Sequence, residues 1–180
     1  MATSTSLTLS PAPSTCSLET FTQHYGDVYE HSPWVAEAAW KEGLSNAHDA
    51  PDALADLMGL MLQRATPEQQ IAVIQAHPDL AGKAAMSGEL TQDSTREQAG
   101  AGLDQCTPEE FARFEQLNAA YKKKFGFPFV IAVKGLDRHA ILAAFEARLH
   151  NGLAEERETA IKEIIRIARF RLNVRAEQPL

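Results

Sequence analysis

Three residues of this 180-residue chain have the type and the sequence setting for acid–base or anion-binding chemistry: His77, Glu97 and Arg171. An imidazole titrates near neutral pH and is the side chain best matched to proton transfer. A carboxylate accepts hydrogen bonds from donor-rich ligands, and a guanidinium pairs directionally with carboxylates. Each of the three residues also has a purely structural interpretation, which its local sequence supports.

His77 stands at the end of an apolar helical run, TPEQQIAVIQAHP, residues 66 to 78. Thr66 and Gln69 have capping-box spacing at the start of this run, and Pro78 disfavours helical geometry for the residue before it. In the structural interpretation the imidazole binds terminal carbonyl groups of the helix. In the functional interpretation it transfers a proton. The local sequence leaves both interpretations open.

Ser94 and Glu97 also have the spacing of a capping box, which accounts for both residues without a ligand. The functional interpretation is compatible with it, because a helix N-terminus presents N–H groups that can hold a carboxylate or a ureido carbonyl. Glu97 would then accept hydrogen bonds from the N–H groups of a neutral ligand.

Arg171 lies beside the apolar stripe of the last predicted helix, which includes Ile164, Ala168 and Leu172. An arginine in such a position must pair with an anion or extend its guanidinium to solvent. The sequence does not distinguish between ligand binding and solvent exposure.

Capping and stop signals predict helices along most of the chain. Ser32 and Gly43 are predicted as the N-cap and the stop of one helix, and Thr107 and Glu110 form a further capping box. Only residues 127–133, FPFVIAV, look extended, and one such segment cannot build a sheet. The sequence therefore predicts an all-α, single-domain helical bundle without a sheet over residues 15–176.

Composition excludes several classes of function. The net charge of −7 disfavours sequence-independent binding to nucleic acid or to an anionic membrane, because those partners need a basic surface. No window is apolar over the length of a membrane span. Residues 1–14 are rich in Ser, Thr and Pro, lack the features of a secretory signal and are predicted to be a disordered tail, and residues 177–180 are predicted to be a C-terminal tail. Cytoplasm is the default location.

Metal and nucleotide chemistry lack their usual motifs. The six histidines form no His-Glu-x-x-His pattern, and the two cysteines, Cys16 and Cys106, form neither a Cys-x-x-Cys pair nor a disulfide framework. No glycine-rich phosphate loop follows a predicted strand. The sequence therefore predicts no metal site.

Four segments, HPDLAGK, STREQAGAGLD, FGFPFVIAVKG and EIIRIARFRL, closely resemble the 2-oxo-4-hydroxy-4-carboxy-5-ureidoimidazoline (OHCU) decarboxylase family. The resemblance runs from about residue 17 to residue 175, with the segments in the family's order. It implies an all-helical fold, a homodimer, no cofactor and a role in the last step from urate to (S)-allantoin.

The resemblance also implies the roles of individual residues. His77 corresponds to the catalytic histidine and acts as acid or base, Glu97 holds ureido or ring N–H groups, and Arg171 pairs with an anionic or carbonyl oxygen. The residues implied to line the substrate site are Pro78, Ser94, Thr95, Arg96, Gln98, Phe129, Val130, Ile131, Ala132 and Val133.

The implied reaction is compatible with these residue types and with the absence of a cofactor. Loss of CO2 leaves an electron pair that the conjugated ring of the substrate can delocalise, so the protein has only to orient the carboxylate, stabilise charge and move a proton. Two alternatives stay open. One is a binding module that keeps the pocket without activity, and the other is a different small-molecule lyase or hydrolase on the same scaffold.

Overall fold

The computed structural model describes residues 6–178 of the chain, and within this range it contains helices and no strands, as the sequence predicts. Short 3-10 helices cover Pro13–Thr15, Asn46–Asp49 and Leu103–Gln105. The α-helices are α1 (Leu18–Tyr25), α2 (Trp34–Glu42), α3 (Pro51–Gln63), α4 (Pro67–Gln75), α5 (Lys83–Ser87), α6 (Gln92–Gly100), α7 (Pro108–Phe125), α8 (Arg138–Arg148) and α9 (Leu153–Glu177).

Two helices begin at the predicted capping boxes. Before α4 the amide of Gln69 donates to the Thr66 hydroxyl over 3.2 Å, and the Thr66 amide donates to the Gln69 side chain over 3.0 Å. Before α7 the Thr107 and Glu110 pair makes the same reciprocal bonds, at 3.1 and 3.0 Å. These bonds satisfy N–H groups that the first turn of a helix leaves without partners.

Two predicted caps are wrong. The hydroxyl of Ser32 donates to the carbonyl of Glu30 over 2.8 Å, and α2 begins at Trp34 without a side-chain cap. The N-cap of α6 is Thr91, whose hydroxyl accepts from the Ser94 amide over 3.3 Å. Ser94 thus lies inside the first turn, so Ser94 and Glu97 do not form a capping box. Thr91 and Ser94 are both capping residue types three positions apart, and local sequence does not decide between them.

The chain divides into two compact units. The first takes in the described residues up to Gln70 together with those from Ile165 onward, and the second is Ile71–Ile164. The predicted single domain of residues 15–176 therefore includes residues of both units. Buried apolar side chains fill each unit: Phe21, Val35, Leu54, Met58 and Leu172 in the first, and Phe114, Tyr121, Phe129, Ile141 and Phe145 in the second.

The predicted disorder of residues 1–14 does not hold for residues 9–14, while residues 1–5 lie outside the described part of the chain. Leu9 is buried, and its amide donates to the Asp49 carbonyl over 2.8 Å. The amide and the hydroxyl of Ser14 each donate to the Asp49 carboxylate over 2.8 Å. At the other end α9 continues to Glu177, beyond the predicted start of the C-terminal tail. Composition favours disorder for residues 9–14, but a partner distant in sequence satisfies their polar groups.

Candidate active site

His77 lies two residues beyond the end of α4 and is 8% exposed. Its Nδ1 atom is 3.0 Å from the carbonyl oxygen of Val73, one turn back in the helix. Because a carbonyl only accepts hydrogen bonds, this contact requires a hydrogen on Nδ1. The structural interpretation of His77, a contact with a terminal carbonyl, is therefore confirmed. The contact also orients the ring and selects the tautomer that a proton-transfer role needs.

Residues 77–82 form a loop that begins at His77. Side chains from two helices hold this loop in place. Gln98 of α6 accepts from the Ala81 amide over 3.0 Å and donates to the Asp79 carbonyl over 3.3 Å. Asn118 of α7 donates to the carbonyl of Leu80 over 2.9 Å. Three successive residues of this 77–82 loop thus have a backbone group bound by a buried side-chain amide.

The backbone of the 77–82 loop is tight at two positions. Ala81 has a φ of +49°, a left-handed conformation that costs a residue with a side chain about 1–2 kcal/mol. A methyl group added at Gly82 would lie 2.7 Å from Cβ of Asp79, so only glycine fits without movement. Lys122 adds an ion pair with Asp79 at 2.6 Å. Strain of this kind persists only where the surroundings over-determine the conformation.

Five residues of α6 are predicted to lie in the site. Three of them lie together on one face of the helix, and the other two lie on a different side. Ser94, Glu97 and Gln98 share one face of the helix; Ser94 and Gln98 are buried and Glu97 is half-buried. Thr95 and Arg96 are exposed on the other side. The Thr95 hydroxyl donates to the Thr91 carbonyl over 2.9 Å, and Arg96 pairs with Asp93 at 2.7 Å. The geometry of Thr95 and Arg96 therefore gives no support to their predicted substrate contacts.

Residues 127–133 lie between α7 and α8, outside any helix. The Val130 carbonyl accepts from Arg148 over 2.7 Å, and the Ala132 amide donates to Glu163 over 2.8 Å. Arg148 and Glu163 thus bind backbone groups of the two residues that flank Ile131. The backbone N–H and C=O of Ile131 itself have no hydrogen-bond partner among residues 6–178.

A buried charge network fixes Arg148. Glu156 is fully buried and accepts from Arg148 at 2.8 to 3.0 Å, from Asn151 at 3.0 Å and from the Tyr121 hydroxyl. Burial by itself raises the pKa of the Glu156 carboxyl, but the hydrogen bonds from Arg148 and Tyr121 outweigh it and the pKa lies below its usual value. The guanidinium of Arg148 also lies 4.4 Å from the centre of the Phe129 ring. The network thus ties Phe129 and Val130 to α8 and α9.

Arg171 belongs to the first unit, whereas His77, Glu97 and residues 129–133 belong to the second. Its side chain is 2% exposed and pairs with Glu30 at 2.9 Å, with a second bond to the Val28 carbonyl at 3.3 Å. The guanidinium is therefore not extended to solvent. Of the two possibilities that the sequence leaves open, the structure shows pairing with an anion, and this anion is the carboxylate of Glu30.

Sequence reasoning missed Asn118, Glu156 and Glu30 as residues that position others. For two of them a signal was present. Asn118 falls on the apolar stripe of α7, between Phe114 and Tyr121, and Glu156 falls one turn before Ala160 on the stripe of α9. A polar residue at an apolar position predicts a buried polar contact. Nothing in the local sequence of Glu30 indicates its partner.

Three further features of the described residues bear on the kind of protein. No three His, Cys, Asp or Glu side chains between residues 6 and 178 are grouped as a metal site would require. Cys16 and Cys106 are free thiols. Within the same range, the helices lack the combination of length and apolar character that is needed to cross a membrane.

Within residues 6–178, a buried histidine oriented by the Val73 carbonyl precedes loop residues that Gln98 of α6 binds, which are elements that an acid–base site requires. Comparison with known proteins defines the class further. The model of the OHCU decarboxylase family matches residues 14–173. This chain belongs to the OHCU decarboxylase family.

Relatives and solved structures agree with this assignment. The chain is 40% identical over 154 residues to a 2-oxo-4-hydroxy-4-carboxy-5-ureidoimidazoline decarboxylase of Halalkalicoccus jeotgali, covering 86% of this chain and 84% of the relative. The crystal structure of an (S)-allantoin synthase matches with a TM-score of 0.71 and 29% identity, over 91% of this chain and 52% of the other. A structure of OHCU decarboxylase in the presence of (S)-allantoin has the same fold, with a TM-score of 0.66 and 19% identity over 84% of this chain and 96% of the other.

Proposed function

We propose that this protein decarboxylates OHCU to (S)-allantoin and CO2 in urate degradation, without a cofactor and with His77 as the acid–base residue. The observation that carries the role of His77 is its Nδ1 contact with the Val73 carbonyl at 3.0 Å. This contact supports the role because it places a hydrogen on Nδ1 and orients the ring, and we assign proton transfer to Nε2.

The proposed reaction needs one group that moves protons on one side of the substrate. Cleavage of the carbon–carboxylate bond leaves an electron pair, which conjugation with the adjacent imine moves onto the imine nitrogen, with a double bond between the two ring carbons. The nitrogen takes a proton from solvent. The substrate hydroxyl then loses its proton as it becomes the ring carbonyl, and the ureido-bearing carbon gains one. An imidazole can accept the first proton and donate the second, and donation from one side gives a single enantiomer.

Other residues are proposed to bind the substrate. Glu97 accepts hydrogen bonds from ureido or ring N–H groups, with Ser94 beside it on α6. The N–H and C=O of Ile131 match a substrate amide, which presents one acceptor and one donor. From the family resemblance, Arg171 is proposed to pair with an anionic or carbonyl oxygen, and its buried ion pair with Glu30 holds the guanidinium in place. The remaining residues are proposed to shape the site through their backbone or side chains: Pro78, Gln98, Phe129, Val130, Ala132 and Val133. Thr95 and Arg96 are not included, because their side chains are exposed.

The chirality of the product tests the proposal. Substrate is generated freshly by oxidation and hydrolysis of urate, and allantoin formation is followed by circular dichroism. We expect (S)-allantoin from the protein, whereas spontaneous decay gives the racemate.

His77→Ala should lower the rate of decarboxylation by about 10²–10⁴-fold, the usual contribution of a general acid–base group. The exposed His150 supplies the control, since His150→Ala should leave the rate unchanged. Racemic product from the unaltered protein would refute the proposed function.

We further propose a homodimer, a cytoplasmic location, and no nucleic-acid or membrane partner. The net charge of −7 supports the last of these, because it disfavours polyanionic partners. Light scattering coupled to size-exclusion chromatography tests the dimer against the chain mass of 19.7 kDa.

A further inference from the structure

We propose that Asn118 is a positioning residue for His77, acting through the 77–82 loop; the proposal rests on the proposed role of His77. Asn118 is 4% exposed, and its Nδ2 atom donates to the Leu80 carbonyl over 2.9 Å. It reaches this loop from α7, 38 residues away in the chain. The bond therefore connects the segment that follows His77 to a long helix of the same unit.

Asn118 has a polar atom that fold stability alone does not explain. The Leu80 carbonyl only accepts, so Nδ2 faces it, and the buried Oδ1 atom of Asn118 has no hydrogen-bond partner among residues 6–178. An unsatisfied buried acceptor costs about 1–3 kcal/mol. An apolar residue on this stripe would avoid that cost, although it would leave the Leu80 carbonyl without its donor. The net gain in stability from asparagine is therefore small, and its donor to the loop is the distinctive contribution.

The bond from Asn118 to Leu80 can affect the position of His77 because the backbone between Leu80 and His77 has little torsional freedom. The ring of Pro78 fixes φ immediately after His77, and the peptide bonds are planar. Gln98 holds the residues on either side of Leu80, and Ala81 is already in a left-handed conformation. Removal of the central tie at Leu80 allows this strained turn to relax. Such a change redirects the backbone at His77 and displaces the imidazole from its productive position.

Asn118→Asp, a nearly isosteric change, tests the positioning role of the hydrogen bond from Asn118 to Leu80. An ionised carboxylate has no hydrogen to donate and faces the Leu80 oxygen, whereas a protonated carboxyl can donate its O–H. We expect kcat at pH 8 to fall by about 10- to 100-fold with a smaller change in KM, because small displacements of a catalytic group have effects of this size. The loss in kcat relative to the unaltered protein should become smaller as the pH is lowered, because the introduced carboxyl then takes up a proton. Lys123→Ala, on the exposed face of α7, should leave kcat and its pH dependence unchanged.

Asn118→Leu provides a readout that does not depend on activity. We expect one sharp resonance for the Cε1–H group of His77 in the NMR spectrum of the unaltered protein, and a broadened or doubled resonance in the folded variant. A racemic product from the unaltered protein would reject the proposed function but leave this resonance informative. A wild-type kcat and pH profile in Asn118→Asp, or an unchanged His77 resonance in folded Asn118→Leu, would overturn the positioning role.

Discussion

The buried pair of Arg171 and Glu30 illustrates how a single residue depends on its partner. Both side chains are almost fully buried, at 2% and 1% exposure, and their closest atoms are 2.9 Å apart. Glu30 also lies 3.8 Å from Nε2 of His31, whose φ of +46° is unusual for a residue with a side chain. Two charges removed from water are tolerated only when each satisfies the other.

Removal of Glu30 should therefore be much more costly than removal of an exposed carboxylate. Glu30→Ala leaves the Arg171 guanidinium buried without its counter-charge, and we expect the free energy of unfolding in urea to fall by about 3–5 kcal/mol. The matched control is Glu42→Ala, which removes an exposed ion pair with Arg64 at 3.7 Å and should cost less than about 1 kcal/mol. Equal losses in the two variants would contradict the interpretation.

At the scale of secondary-structure elements, residues 127–133 are held by side chains from α8 and α9. A segment without a strand partner must satisfy its buried backbone groups in another way. Arg148 and Glu163 do so for Val130 and Ala132, and the Phe129 ring stacks on Phe145 with ring centres 3.9 Å apart. The helices thus act as a rigid support for a segment that is proposed to contact the substrate.

Arg148→Met tests this support. The variant leaves the Glu156 carboxylate buried without its arginine, and we expect a loss of about 3–5 kcal/mol in the free energy of unfolding. A second change, Glu156→Leu, should restore part of that stability because it removes the unpaired charge. Neither variant supplies a donor to the Val130 carbonyl, so activity should stay low in both. As a control, Arg113→Met removes an exposed pair with Glu146 and should have little effect on either measurement. Full activity in the double variant would contradict the role of Arg148.

For the whole molecule, buried titratable groups set the pH range of stability. Folding lowers the pKa of Glu156 below its ordinary value of 4.5, so its contribution is present above about pH 4.5 and is lost as the pH falls through the folded pKa. Burial raises the pKa of Tyr25 to about 12 from an ordinary value of 10.0, and burial also raises those of Tyr29 and Tyr121. The contributions of these tyrosines to the free energy of unfolding are present below about pH 10 and are lost at higher pH.

We therefore expect the urea midpoint of unfolding to fall below about pH 4.5 and above about pH 10. Urea titrations monitored by circular dichroism across this range measure both limbs. Tyr25→Phe removes one hydroxyl, which donates to the Pro11 carbonyl over 2.6 Å, and should make the alkaline limb less steep. An alkaline limb of unchanged slope in Tyr25→Phe would contradict the assigned contribution.

The sequence by itself determined the features that depend on neighbouring residues. The all-α class, the boxes at Thr66 and Thr107 and the end of α2 before Gly43 follow from periodicity and from side chains within one turn of each other. The same local chemistry gave the carbonyl contact of His77 as one of two open interpretations. The motifs that resemble the OHCU decarboxylase family are also contiguous in sequence.

Only the tertiary structure decided which polar groups meet. Glu30 and Arg171 are 141 residues apart in the chain, and Asn118 and Leu80 are 38 apart. The order of residues 9–14 likewise depends on Asp49. A hydrogen bond or ion pair of this kind forms because the folded backbone brings two buried groups together, and many pairings satisfy the same local pattern. Sequence periodicity can therefore show that a buried polar residue needs a partner, while its identity follows from the packing of the helices.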